Sequence, residues 1–101
     1  MSRKVKPMEV IARFTSYFQG RSSDLSRWYI GVSRDPRDSL FRVHGVREYG
    51  DAWVFEDMET EKHARFIRDY FLHFGADGNA KIRVAGSKGV YAYLKKKHTR
   101  P

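Results

Sequence analysis

The stretch that decides the fold is WYIGVSRDPRDSLFRVH, which spans Trp28 to His44. Its first six residues predict a buried strand, and the residues after them predict a helix. Side chains in a strand point alternately to opposite faces. The strand therefore presents two different surfaces, with Trp28, Ile30 and Val32 on one face and Tyr29 and Gly31 on the other.

A short helix is predicted directly after this strand. Asp35 lies where a helix N-cap belongs, and Pro36 takes the first helical position, where its missing N–H and fixed φ cost nothing. The helix is expected to end near Val43. Gly31 allows another group to approach the backbone closely, and Tyr29 carries a hydroxyl that can donate or accept a hydrogen bond. We therefore expect Tyr29 to lie near the start of the short helix.

Apolar spacing and turn residues predict the other elements. Two longer helices are expected, at residues 7–19 and between Thr60 and Gly75. Further strands are expected at residues 52–57, 81–84 and 90–94, with a turn at 76–79. This order predicts an α+β fold, in which a small, mostly antiparallel β-sheet of three to four strands packs with two longer helices and one short helix.

Length and composition narrow the class of protein. A chain of 101 residues is long enough for a single domain over 1–101, and its 15% aromatic content predicts a core of Phe, Tyr and Trp. The absence of cysteine excludes a disulfide framework and a thiolate zinc site. No apolar run is long enough to cross a bilayer, and the basic start is not followed by a secretory apolar segment. We expect a soluble, cytoplasmic protein with flexible basic ends at 1–6 and 96–101.

The net charge of +8 is unevenly distributed along the chain. Residues 1–47 contribute +6, residues 48–61 contribute −6, and residues 62–101 contribute +8. An acidic band between two basic blocks predicts a polarised surface with one face that attracts polyanions. The alternative interpretation is that the acids neutralise neighbouring bases within the fold.

Residues 28–44 resemble the second half of the GIY-YIG endonuclease family. In that family a strand ending in Tyr-Ile-Gly leads into a helix that carries a catalytic Arg. The tripeptide Tyr29-Ile30-Gly31 matches the motif, and His44 falls where many members have a His. The family's first motif, Gly-Ile-Tyr, is missing from residues 1–27, but Gly89-Val90-Tyr91 occurs near the C-terminus. The resemblance therefore implies a circular permutant, in which the strand carrying Tyr91 pairs beside the strand carrying Tyr29.

The resemblance also implies that two catalytic groups have been lost. Counting along the short helix places the family's Arg position on Ser39, while Arg37 and Arg42 lie on other faces of the helix. The position of the metal-binding Glu falls near Arg68, which cannot bind a cation. The chain is thus expected to be a degenerate core that does not cleave.

Tyr29 and Tyr91 are the central pair of the predicted site. Phenols on neighbouring strands can share a phosphate, a metal-bound water or a base. Without the permutation, the favoured interpretation is that both are half-buried sheet residues whose hydroxyls reach the surface. Bases could also stack beside them. Cationic side chains are expected to hold phosphates without reading sequence. The basic residues predicted to bind nucleic acid are Arg34, Arg37, Arg42, Lys88, Lys95, Lys96 and Lys97.

Neither a metal site nor a cofactor is predicted. The four histidines, His44, His63, His73 and His98, show no metal-ligand spacing. Strand alternation directs Glu56 and Asp57 to opposite faces. No glycine-rich loop follows a phosphate-binding pattern; residues 86–89 either offer N–H groups and Lys88 to a phosphate or only turn a hairpin.

Three functional hypotheses follow. The preferred one is a small, basic, non-catalytic nucleic-acid-binding domain that contacts DNA or RNA through its phosphates. The second is a metal-dependent GIY-YIG-like nuclease that uses Tyr29 or Tyr91 as a base with a relocated Arg. The third is a small inhibitor or adaptor of the type that phages and other mobile elements encode, acting on a protein partner that itself binds nucleic acid. Contact with a membrane is not expected.

Overall fold

The computed structural model describes residues 5–81 and 84–101. The longer helices are α1 (Pro7–Gln19) and α3 (Glu61–His73). Between them, α2 (Pro36–Asp38) continues as a π-helical turn (Ser39–Val43), and we call residues 36–43 the short helix. The strands are β1 (Trp28–Ser33), β2 (Trp53–Asp57), β3 (Asp77–Gly78) and β4 (Gly89–Leu94).

The four strands form one sheet in the order β2-β4-β1-β3. Strand β4 is antiparallel to both β1 and β2, and β3 runs parallel to β1. The α+β prediction is confirmed, with two longer helices, one short helix and a mixed sheet. Strand β4 comes last in the sequence but lies inside the sheet, between β1 and β2.

The two faces of the sheet are covered by different helices. Trp28, Ile30 and Val32 join α1 and α3 in one apolar cluster, as the alternation along β1 predicts. The opposite face carries Tyr29, and the short helix covers it by inserting Leu40, which is fully buried. Aromatic rings fill much of the first cluster, in agreement with the composition.

Both predicted N-caps are present. The side chain of Asp35 accepts a hydrogen bond from the backbone N–H of Asp38 at 3.1 Å, and the side chain of Thr60 accepts one from His63 at 3.0 Å. These bonds satisfy amides that the first turn of a helix leaves without partners. Within the described residues, none of the helices has the length and apolar character needed to cross a membrane.

The prediction for residues 76–84 was wrong in part. Asp77 and Gly78, expected in a turn, form the short strand β3 beside Tyr29 and Ile30. A Cβ at Gly78 would collide with the carbonyl oxygen of Ile30, so glycine permits this close pairing. Of the strand predicted at 81–84, residues 82 and 83 lie outside the described residues. Lys81 lies in a turn and Val84 in no strand.

The C-terminal segment differs from the flexible end expected at 96–101. The backbone N–H of Arg100 donates to the carbonyl oxygen of His44 at 2.7 Å, and Thr99 is buried. His98 contacts the carboxylate of Asp51 in the loop before β2. The segment is folded because these directional bonds join it to two loops, whereas its charge pattern alone suggested a solvated tail.

Candidate nucleic-acid interface

Tyr29 and Tyr91 are neighbours, as the predicted pairing of their strands requires. In the β1–β4 register Tyr91 lies opposite Gly31, and Tyr93 lies opposite Tyr29. The ring centroids of Tyr29 and Tyr91 are 6.4 Å apart. A Cβ at Gly31 would collide with the ring of Tyr91. Gly31 is therefore the position that allows Tyr91 to lie across β1 towards Tyr29.

His44 contacts the rings of Tyr29, Tyr91 and Tyr93, which we call the tyrosine cluster, and holds it in place. Its Nδ1 is 2.6 Å from the carbonyl oxygen of Arg100, and its Nε2 is 2.8 Å from the hydroxyl of Tyr91. A carbonyl oxygen only accepts, so Nδ1 carries the proton, and Nε2 accepts the O–H of Tyr91. The hydroxyl of Tyr93 also lies 3.0 Å from Nδ1. One imidazole thereby fixes the orientation of two tyrosines.

Burial sets the protonation state of this cluster. It lowers the pKa of His44 below the usual 6.5, which favours the neutral imidazole. Burial also raises the pKa of Tyr29, Tyr91 and Tyr93 above the usual 10.0, so these phenols keep their protons at neutral pH. At neutral pH the cluster is therefore uncharged.

A cleft of about 400 Å³ opens beside the cluster. We call it the cleft; it lies between the C-terminal end of β1, the short helix and residues 84–87, and Tyr29 and Tyr91 form its floor. Its walls carry the hydroxyls of Ser33, Ser39 and Ser87. Val32, Val43 and Val84 supply apolar lining between these polar groups, so the cleft offers hydrogen-bonding groups within a mixed surface.

Two serines in the cleft are already oriented. Ser33 Oγ accepts the backbone N–H of Asp35 at 3.0 Å and lies 2.6 Å from Ser39 Oγ. One serine hydroxyl donates its proton to the other serine, so the second hydroxyl proton remains for a ligand. Ser39 is also the residue on which the predicted resemblance placed the family's Arg position.

The three predicted arginines lie in three different environments. Arg34 lines the cleft and is exposed, and among the described residues it forms no ion pair. Arg42 binds both carboxylate oxygens of Asp38, at 2.7 and 2.9 Å. Arg37 binds Glu48 at 3.0 Å on the other flank of the short helix. Of these three arginines, Arg34 is the one that offers an uncommitted cation to the cleft.

The predicted lysines do not form one group. Lys88 directly precedes β4, whose first residue pairs with Ser33, so it lies at the same end of the sheet as Arg34. Lys95 follows β4 at the opposite end and binds Asp77 at 3.2 Å. Six strand residues at about 3.3 Å each separate the two ends by roughly 20 Å. Lys96 and Lys97 continue from Lys95 and are exposed.

Acidic residues of the band 48–61 pair with basic partners. Glu48 contacts Arg37, Glu56 contacts Arg13 at 2.6 Å, and Glu61 contacts Arg65 at 3.7 Å. Asp51 accepts from His98. These contacts agree with the interpretation that the band neutralises nearby bases. Each exposed pair contributes little to stability.

Sequence reasoning missed the roles of Tyr93, Ser33 and His44. Alternation places Tyr93 on the face of Tyr91, so a signal for it was present, whereas the bond between His44 and Tyr91 joins residues 47 positions apart. Among the described residues, no three His, Asp or Glu side chains come together in a way that could hold a metal ion.

Comparison with known proteins identifies no relative. No family model matches the chain, and neither a curated protein nor a solved structure matches it. The arguments about function below therefore use the residues and geometry of this chain.

Proposed function

We propose that this protein is a small, non-catalytic nucleic-acid-binding domain that holds a phosphate in the cleft. The observation that carries the proposal is Arg34, an exposed cation without an ion-pair partner among the described residues, in a cleft that also carries the hydroxyls of Ser33, Ser39 and Ser87. A guanidinium and hydroxyl donors are groups that commonly contact nucleic-acid phosphates. The net charge of +8 supplies the long-range attraction for a polyanion.

The two carboxylates that line the cleft both have partners within the protein. Asp35 uses its side chain to cap the short helix, and Asp38 is bound by both nitrogens of the Arg42 fork. The hydrogen bond from Arg42 is the main cause that lowers the pKa of Asp38. Arg42 thus compensates a negative charge at the rim, although it is not itself free for phosphate.

The proposal includes a degenerate, permuted GIY-YIG-like core. Support comes from the adjacency of Tyr29 and Tyr91 and from the bond between Tyr91 and His44. The loss of catalysis is argued from two positions. Ser39 offers a hydroxyl where the family has Arg. Arg68 is buried and donates to Asp69 at 2.9 Å and to the carbonyl oxygen of Ala80 at 3.2 Å, where the family has a metal-binding Glu.

Binding is tested by fluorescence anisotropy with labelled DNA and RNA, single-stranded and duplex. Each phosphate contact releases about one counterion, so the logarithm of affinity should fall steeply and linearly with the logarithm of salt concentration between about 50 and 200 mM. Different sequences of equal length should bind with similar affinity. A flat salt response, or no binding at low salt, would contradict the proposal.

The same proposal predicts no cleavage of DNA or RNA with magnesium or manganese. Phosphodiester hydrolysis needs positive charge where negative charge develops, and the two expected sources are replaced by Ser39 and Arg68. The assay incubates labelled substrate with metal and resolves the products on a gel. Cleavage that chelator and Tyr29→Phe both abolish would favour the nuclease hypothesis instead.

A further inference from the structure

An aromatic surface lies on the flank of the short helix opposite the cleft. We call Phe41, Trp53, Phe55 and Arg37 the aromatic patch. The rings of Trp53 and Phe55 are nearly parallel, at 13° with centroids 6.1 Å apart, and Phe41 meets Trp53 edge-on at 4.9 Å. The guanidinium carbon of Arg37 lies 5.2 to 6.0 Å from the centroids of all three rings.

Strand order explains why the patch remains partly exposed. Trp53 and Phe55 pair with Tyr93 and Tyr91 and share their face of the sheet. The tyrosines belong to the central strand and are buried under the short helix, whereas β2 is the edge strand and its aromatic rings are only half-buried. The short helix reaches β2 through Phe41, which meets Trp53 edge-on and leaves the strand partly exposed.

The periodicity of the short helix separates the patch from the cleft. Arg37 and Phe41 are four residues apart and share one flank, while Asp35, Asp38 and Ser39 line the cleft on the other. The two surfaces are therefore about one helix diameter apart, roughly 10 Å. Neighbouring nucleotides of a single strand can span this distance.

We propose that the aromatic patch stacks the bases of single-stranded nucleic acid whose phosphate is held in the cleft, an inference that rests on the proposed function. The rings of Tyr29 and Tyr91, where the sequence predicted stacking, are 8% and 5% exposed and cannot admit a base. The rings of the patch are only partly buried, so a base can contact them. Bases of a duplex are already stacked on each other, so the patch selects single strands.

Charge complementarity favours nucleic acid as the occupant. The Arg37 side chain is 51% exposed, and its partner Glu48 is 37% exposed, so solvent screens their ion pair and a phosphate can compete for the guanidinium. A guanidinium lying over rings also presents a flat cation to an incoming base. Arg34 and Arg37 thus give the surface one cation on each side of the short helix.

Trp53 provides a direct optical test. The only other tryptophan, Trp28, is fully buried under α1, so quenching by a bound base reports on Trp53. The wild type is titrated with a single-stranded oligonucleotide of about 12 nucleotides, the matching duplex and inorganic polyphosphate. We expect strong quenching with the single strand and little with duplex or polyphosphate.

The variant Trp53→Leu separates stacking from phosphate binding. Its affinity for the single strand, measured by anisotropy, should fall fivefold or more, while its affinity for polyphosphate stays unchanged. Tyr49→Leu is the control, since Tyr49 is an aromatic residue that is 87% exposed and outside the patch; it should leave both affinities as in the wild type. Circular dichroism confirms that each variant is folded.

Three results would overturn the inference. Single-strand binding with no change in Trp53 emission and no loss in Trp53→Leu would remove the patch while leaving the proposed function intact. Equal affinity for single strand and duplex would also remove the patch as a stacking site and leave the proposed function intact. Absence of binding to any nucleic acid would overturn both proposals, and a protein would then be the better candidate for covering the patch.

Discussion

The two faces of the sheet differ in the kind of side chain that the same strands place on them. On the face covered by α1 and α3, the core is apolar, and Phe71 lies 6.2 Å from Phe14 and 5.2 Å from Phe18 between ring centroids. On the face covered by the short helix, hydroxyls and an imidazole form a hydrogen-bonded cluster that opens to a cleft. Alternation along β1 and β4 assigns each side chain to one role.

The largest difference between the faces should appear on truncation. Phe71→Ala removes a buried ring from the apolar face and should cost roughly 3 to 5 kcal/mol in free energy of unfolding. Tyr91→Phe on the other face removes one hydroxyl and leaves Nε2 of His44 without its donor, which should cost about 1 to 2 kcal/mol. Urea unfolding measures both. Equal losses would contradict the distinction between the faces.

A loss smaller than that of Phe71→Ala is expected where the ring of Tyr91 crosses Gly31. Gly31→Ala places a methyl group against the ring of Tyr91 and should cost about 1 to 3 kcal/mol through overpacking. The cost should shrink in a Tyr91→Ala background, because the colliding ring is gone. Additive losses in the double variant would show that Gly31 is needed for another reason.

The polar face should also make stability sensitive to pH. Because burial lowers the folded pKa of His44, the unfolded chain takes up the proton first as pH falls. The stability that neutral His44 contributes is fully present above about pH 6.5, and it is lost as the pH falls from there through the lower folded pKa. The free energy of unfolding should fall by no more than about 1.4 kcal/mol per pH unit.

The measurement compares urea unfolding at about pH 7.5 and about pH 5.5 for the wild type and His44→Asn. The wild type should lose stability at the lower pH, and the variant should lose less, since it has no imidazole to protonate. The same pH dependence in both proteins would assign the effect to other groups.

Local patterns predicted much of the fold. Alternation placed Trp28 and Tyr29 on opposite faces, Asp35 caps the short helix, and the pairing of the strands carrying Tyr29 and Tyr91 is observed. Strand β3 was missed because Gly78 is a turn residue by composition and pairs only through tertiary contact.

The candidate site was predictable in its centre and less so at its edges. Tyr29, Tyr91 and Arg34 meet at the cleft, but the ion pair of Arg37 with Glu48 and the position of Lys95 at the far end of the sheet depend on tertiary contacts. The aromatic patch joins the short helix to β2, which are separated by a loop. Charge and spacing along the chain carry no information about such contacts.

The central claim is that the face of the short helix, rather than the overall charge, binds nucleic acid. Two variants test it directly. Arg34→Ala removes one positive charge from the cleft, and Arg21→Ala removes one from the end of α1, on the opposite side of the sheet. Arg34→Ala should weaken binding about fivefold, or about 1 kcal/mol, and lower the salt slope by about one, whereas Arg21→Ala should change affinity less than about twofold. Equal weakening by both variants would contradict the claim and leave only non-localised electrostatic attraction.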